Sequence, residues 1–135
     1  MADRSAIENT LASWAWGYDN REPERMQRCF TPDSDLVMDI GGVETMGPYV
    51  GRGEVMKHFT DHHAIQTDQR RHLTTNILIA DETDDSAFVI SYLTLIVTDE
   101  NGTRLQAAGV YKDNFVRTDA GWQIQHRRIE LDSHY

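Results

Sequence analysis

At 135 residues the chain is the size of one domain, and 39% apolar with 26% charged residues gives a composition that buries a core rather than one that stays disordered. A formal net charge of -9 at pH 7, with no local run of lysine and arginine to offset it, argues against phosphate backbones and anionic membrane surfaces as partners. The single cysteine, Cys29, excludes an internal disulfide, no stretch approaches the ~20 apolar residues of a membrane helix, and Met1-Ala2-Asp3-Arg4 leads into no signal-peptide apolar segment, so a cytoplasmic protein is expected.

From Asp3 or Ser5, either able to cap a helix, Ile7, Leu11, Trp14, Ala15 and Tyr18 recur at three- and four-residue spacing and predict an amphipathic first helix. Asp19-Asn20 and Pro23 break it before a second, short helix carrying Met26, Cys29 and Phe30, which Thr31-Pro32-Asp33 stops. Leu36 to Ile40 reads as a short strand, Gly41-Gly42 as a turn, and Val43 to Val50 as an irregular or strand-like passage broken by Gly47-Pro48. Gly51-Arg52-Gly53 then precedes a third helix with Val55, Met56, Phe59 and Ile65 on one stripe.

Four β-rich runs follow, at roughly 70 to 80, 86 to 98, 103 to 117 and 121 to 131. They are separated by short polar turn signals, among them Asn101-Gly102, a favoured two-residue hairpin turn. Consecutive strands so joined form an antiparallel meander. Helices first and strands after give an α+β fold, a cone-shaped barrel in which N-terminal helices pack on a curved, mostly antiparallel sheet and leave a deep pocket. One domain is expected over residues 1–135.

The residues suited to chemistry are few. His72 stands at the mouth of the first long run, and imidazole is the side chain whose ordinary pKa lies nearest neutrality, which suits it to take and return a proton. Such a base needs a carboxylate to orient it. Asp19 is the candidate, because a carboxylate at a helix C-terminus is unfavourably placed and requires compensation; an aspartate-asparagine turn is the plainer explanation of the same residues. Of Arg127 and Arg128 one faces inward: strict alternation from Trp122 and Ile124 gives Arg128, and a bulge would give Arg127. His58 and His62 share a face of the third helix, but the full His-Glu-x-x-His arrangement is missing and no metal is expected. Gly51-Arg52-Gly53 lacks the rest of a nucleotide-binding fingerprint, so no cofactor is expected either.

The order and spacing of these elements resemble the SnoaL-like branch of the nuclear transport factor 2-like superfamily. The residues that carry the resemblance are Ile7 through Tyr18-Asp19, Cys29-Phe30-Thr31-Pro32-Asp33, Gly51-Arg52-Gly53, Arg71-His72-Leu73-Thr74-Thr75-Asn76, Gly109 through Asp113, and Gly121-Trp122-Gln123-Ile124 leading to Arg127-Arg128. In scytalone dehydratase and hexachlorocyclohexane dehydrochlorinase, an aspartate after the first helix and a histidine at the start of a strand form a catalytic pair. The resemblance therefore implies an Asp19–His72 pair, with Tyr18 as a hydroxyl donor. An arginine in the last strand of bile acid 7-alpha-dehydratase points to Arg127, and a homodimer is implied through the outer face of the sheet. The second histidine of scytalone dehydratase has no counterpart between residues 85 and 117.

The expected activity is a cofactor-independent lyase, most readily a dehydratase acting on a small cyclic or aromatic-like apolar molecule. His72 would be the base, Asp19 its orienting partner, and Tyr18 with Arg127 or Arg128 would hold the reacting oxygens; Trp14, Tyr49, Asn76, Tyr92 and Tyr111 are candidate substrate-binding residues. Two alternatives belong to other classes. One is a non-catalytic small-molecule-binding or dimeric assembly module. The other is a ketosteroid-isomerase-like isomerase or cyclase using Asp39, with Trp14 standing where that enzyme has its hydroxyl-donating tyrosine. For His72 to face inward, Thr74 and Asn76 must share its face while Leu73 and Thr75 take the other.

Overall fold

A computed structural model describes residues 1–133. The elements run α1 (Arg4–Asp19), α2 (Pro23–Gln27), β1 (Phe30–Ile40), β2 (Glu44–Val50), α3 (Arg52–Ile65), β3 (Gln69–Glu82), β4 (Ser86–Asp99), β5 (Gly102–Thr118) and β6 (Gly121–Leu131). The six strands form one sheet in the order β2-β1-β6-β5-β4-β3, antiparallel throughout except where β1 runs parallel to β6. α1 packs against β3 and β6, and α3 against β1 and β2, so both helices cover the same face of the sheet. The α+β architecture is thus the expected one, and no helix among the described residues is long and apolar enough to cross a membrane.

α1 begins at Asp3, whose Oδ1 accepts the Ala6 N–H at 3.0 Å. Its buried stripe of Ile7, Leu11, Trp14 and Tyr18 faces the sheet together with Val55, Met56 and Phe59 of α3. Arg21, in the left-handed region at φ 56°, turns the chain out of α1. Its guanidinium then donates to the carbonyls of His63 and Gln66, tying that turn to the end of α3.

Two early elements differ from expectation. α2 stops at Gln27, and Phe30 opens β1 instead of closing a helix. Thr31-Pro32-Asp33 lies inside that strand because the β1–β6 pairing is irregular there, jumping from Phe30 opposite Ile124 to Asp35 opposite His126; Pro32 sits where its missing N–H breaks no ladder. The passage before Gly51 is a strand, β2, paired antiparallel to β1, and as expected it is broken at Gly47-Pro48, where the register jumps from Met46 to Tyr49.

The strand registers place the inward side chains in rows. Leu36, Arg127, Asp113 and Val89 make one; Met38, Ile129, Tyr111 and Ser91 make the next; Ile40, Leu131, Gly109, Leu93 and Thr74 make a third. Gly109 sits in the middle of β5, where an added Cβ would lie 2.3 Å from the Glu130 carbonyl oxygen. Only glycine allows β5 and β6 to approach so closely.

Candidate active site

The end of α1 meets the start of β3 through one carboxylate. β3 is an edge strand, so alternate backbone N–H groups along it lack a ladder partner. The His72 N–H is one of these, and Asp19 Oδ2 accepts it at 2.8 Å. Asp19 Oδ1 lies 2.6 Å from His72 Nδ1. An ionised carboxylate can only accept, so Nδ1 carries the proton and donates, and Nε2 becomes the basic nitrogen. The two side chains are 8% exposed each. The contact also answers the electrostatics of the helix end, where two donors replace the water that a carboxylate would otherwise need.

Aromatic rings fix the imidazole. Trp14 meets it edge to face with centres 5.3 Å apart, and Tyr18 does so at 4.8 Å. The Tyr18 hydroxyl donates to Gln66 Oε1 at 3.1 Å, so it is engaged by the residue that caps α3.

His72, Trp14 and Tyr18 line a cavity of about 50 Å³ whose remaining wall is apolar, with Met38, Phe59, Leu93, Leu95, Ala107 and Ile129 prominent, and with Tyr111 projecting from β5. One water needs about 10–15 Å³ of such space while occupying about 30 Å³ of liquid, so the cavity matches a single six-membered ring with a small substituent. His62 and Arg70 stand at its mouth, since both also line a depression outside. Arg70 is held by Asp68 at 3.1 Å. Arg70 was detectable from strand parity with His72, two residues on, but not singled out.

The last strand resolves the choice between its arginines. A bulge opposite Asn114 and Phe115 carries the pairing of β6 from Ile124 directly to His126, reversing the alternation. Arg127 therefore faces inward at 2% exposure, while Arg128 lies on the outer face and pairs with Asp39 and Glu130. The inward arginine takes Asp113, not Asp19, as its ion-pair partner. Its Nε and Nη2 donate to both carboxylate oxygens of Asp113, at 2.8 and 3.0 Å, and its guanidinium lies over the rings of Tyr111 and Trp14. Burial pushes the Asp113 carboxyl upward, and the adjacent guanidinium opposes that shift. Neither arginine lines the cavity, so neither holds a reacting oxygen directly. Asp113 was not among the candidates, although an acid two residues beyond inward-facing Tyr111 on the same strand was the signal for it.

Several other expectations fail for geometric reasons. Asp39 sits between inward-facing Met38 and Ile40, points to the outer face, and is bound by Thr45 and Arg128, which removes the isomerase or cyclase reading built on it. Tyr92 is 55% exposed because the even-numbered residues of β4 face away from the helices. Asn76 adopts φ 53° and breaks the register between Thr75 and Leu78, so it leaves the face that His72 and Thr74 share and is exposed. Tyr49 packs on His58, with ring centres 4.5 Å apart, outside the cavity that His72 lines. His62 Nδ1 donates to the His58 carbonyl at 2.8 Å, and burial lowers the His58 pKa to about 4. The residues brought together are thus His72, Asp19, Tyr18, Trp14 and Tyr111.

Comparison with known proteins gives the same picture of the fold. A family profile described as the SnoaL-like domain matches residues 1–128. An uncharacterized protein of Mycobacterium tuberculosis is 26% identical over 134 residues, a match spanning 96% of this chain and 85% of the relative. Among solved structures, a nuclear transport factor 2-like protein with a cystatin-like fold from Novosphingobium aromaticivorans superposes with a TM-score of 0.80 at 20% identity, covering 96% of this chain and 81% of that one. A second protein from the same organism, carrying a provisional scytalone dehydratase name, gives 0.77 at 22% identity, covering 97% and 87%. At these identities the structural matches establish the fold alone.

Proposed function

The chain belongs to the SnoaL-like domain family, and on that premise we propose that it is a cofactor-independent lyase, a dehydratase acting on a small cyclic or aromatic-like molecule. The observation that carries the proposal is the 2.6 Å contact between His72 Nδ1 and Asp19 Oδ1 on the wall of an otherwise apolar cavity. His72 Nε2 takes a proton from the carbon next to a carbonyl. Asp19, a positioning residue, keeps the proton on Nδ1 and balances the imidazolium that forms. The hydroxyl on the neighbouring carbon then leaves, the new double bond closes, and the imidazolium returns its proton to the departing hydroxide to make water. Proton and electron pairs balance without a second reagent. The provisional scytalone dehydratase name of one structural neighbour supports the reaction class.

The cavity supports a monocyclic substrate, and Tyr18, which lines it with His72, would meet the leaving oxygen by exchanging its bond to Gln66. The outer face of β3, β4 and β5 exposes Leu78, Tyr92 and Leu105, an apolar surface suited to a homodimer. The test is dehydration of 3-hydroxycyclohexanone to 2-cyclohexenone, followed by ultraviolet absorbance, with larger cyclic β-hydroxy ketones as a series. Turnover by the native protein, reduced about 10²- to 10⁴-fold in His72→Ala and in Asp19→Asn, is the expected result. Turnover surviving in both variants refutes the mechanism, and binding across the series without turnover favours a non-catalytic binder.

A further inference from the structure

Two buried donors carried by cavity-lining residues, the Trp14 indole Nε1–H and the Tyr111 hydroxyl, have no hydrogen-bond partner among the described residues. Trp14 is 2% and Tyr111 1% exposed, so bulk water does not serve them. A buried polar group left without a partner forfeits its full desolvation cost, and proteins seldom accept that twice at one spot unless something else is bound there. The two rings are 6.0 Å apart centre to centre and inclined by 76°, so both donors belong to one pair of touching rings on the cavity's lining. Trp14 also meets the His72 ring edge to face.

Behind these donors stands the buried guanidinium of Arg127, 4.0 Å from the centre of the Tyr111 ring and 4.8 Å from that of Trp14. A cation on the face of an aromatic ring draws electron density toward itself and makes the ring's O–H or N–H a stronger donor. Arg127 is locked in place by Asp113, and both are fully buried. Burial pushes the Tyr111 phenol well above its ordinary pKa, which keeps its proton available for donation.

We propose that the Trp14 N–H and the Tyr111 O–H together form the oxygen-binding donors of the site, selecting a small cyclic carbonyl compound and holding its oxygen as negative charge develops on it. The substrate class rests on the reading of His72 as the base: when His72 takes the neighbouring carbon's proton, the C–H electron pair becomes the enolate double bond and the carbonyl pair moves to the oxygen. Two neutral donors in a water-poor cavity are the kind of fixed dipole that stabilises such an oxygen. Arg127 acts through the two rings as a positioning residue.

The probe is 4-nitrophenol, which presents an enolate-like oxygen, with nitrobenzene as the matched compound that lacks it; both are titrated calorimetrically into the 135-residue chain. The native protein is expected to prefer 4-nitrophenol. Tyr111→Phe and Trp14→Phe should each weaken 4-nitrophenol about 3- to 10-fold while leaving nitrobenzene within about twofold. Tyr111→Phe deletes one oxygen and keeps the ring, so it decides the matter if Trp14→Phe melts early. The preference should persist in His72→Gln. Absence of 4-nitrophenol binding in the native protein, equal weakening of both compounds, or an unchanged preference, as expected if the donors serve only a structural water, overturns the proposal. Failure of the His72 mechanism would show instead in turnover, with the preference intact.

Discussion

At the scale of single residues, the account turns on which side chains face inward and what they find there. His72 and Asp19 were each legible as candidates, a histidine opening a strand and a carboxylate unfavourably placed at a helix C-terminus, but their pairing came from the resemblance to the SnoaL-like family; the structure adds that Asp19 binds both the ring and the backbone of His72. Arg127 was legible only as one of two, since the choice depends on a bulge near Gln125 that no local residue type announces. Its pairing with Asp113 yields a stability prediction. Arg127→Met leaves a fully buried carboxylate alone and should cost about 3–5 kcal/mol, read from urea midpoints, whereas adding Asp113→Leu should recover much of it. A double variant no more stable than the single would contradict that account of the pair.

His58 makes a second prediction at this scale. Burial holds its pKa at about 4, below the ordinary histidine value, so the unfolded chain takes up its proton first as pH falls. Stability should therefore be complete above about pH 6.5 and decline through about pH 4, by on the order of 1–2 kcal/mol once solvent screening is allowed for. His63, lowered chiefly by its own burial, adds in the same direction. Carboxylates whose pKa is depressed, such as Asp39 beside Thr45, act only below that window. Thermal melts between pH 7 and 4.5 should show the decline in the native chain and a shallower one in His58→Leu. Parallel curves would mean that the imidazole is not desolvated as described.

At the scale of elements, the four long strands could be read almost residue for residue, because polar turn clusters fall between apolar runs; the β4–β5 hairpin turns through Glu100-Asn101, one residue before the expected Asn101-Gly102, with Gly102 already paired to Asp99 at φ 104°. β1 could not. Its first half carries Thr31, Pro32 and Asp33, a turn-like composition that the irregular parallel pairing with β6 tolerates. Asn76 likewise breaks the alternation of β3 from within, through its left-handed backbone, after His72 and Thr74 have been set inward. Gly109 permits the close approach of β5 to β6. Gly109→Ala would drive a methyl group to 2.3 Å from the Glu130 carbonyl and should destabilise the chain by about 2–4 kcal/mol, seen as a lowered denaturant midpoint. An unchanged midpoint would show that β5 and β6 can separate there at no cost.

For the whole molecule, the fold followed from the order of elements, while the dimensions of the cavity did not, since they depend on how far α1 and α3 stand off the sheet. The exposed face bearing Leu78, Tyr92 and Leu105 predicts a homodimer in sedimentation velocity, and Tyr92→Lys should shift it toward monomer while its far-ultraviolet circular dichroism stays that of the native fold. A monomeric native chain would end that part of the account. The central claim, that His72 removes a proton from carbon, is tested most directly by deuterium incorporation next to the carbonyl of cyclohexanone in D₂O, followed by NMR. The native protein should accelerate exchange over buffer, and His72→Gln should lose about 10²-fold or more of that rate. Equal exchange in the two proteins, fast or at background, would contradict it.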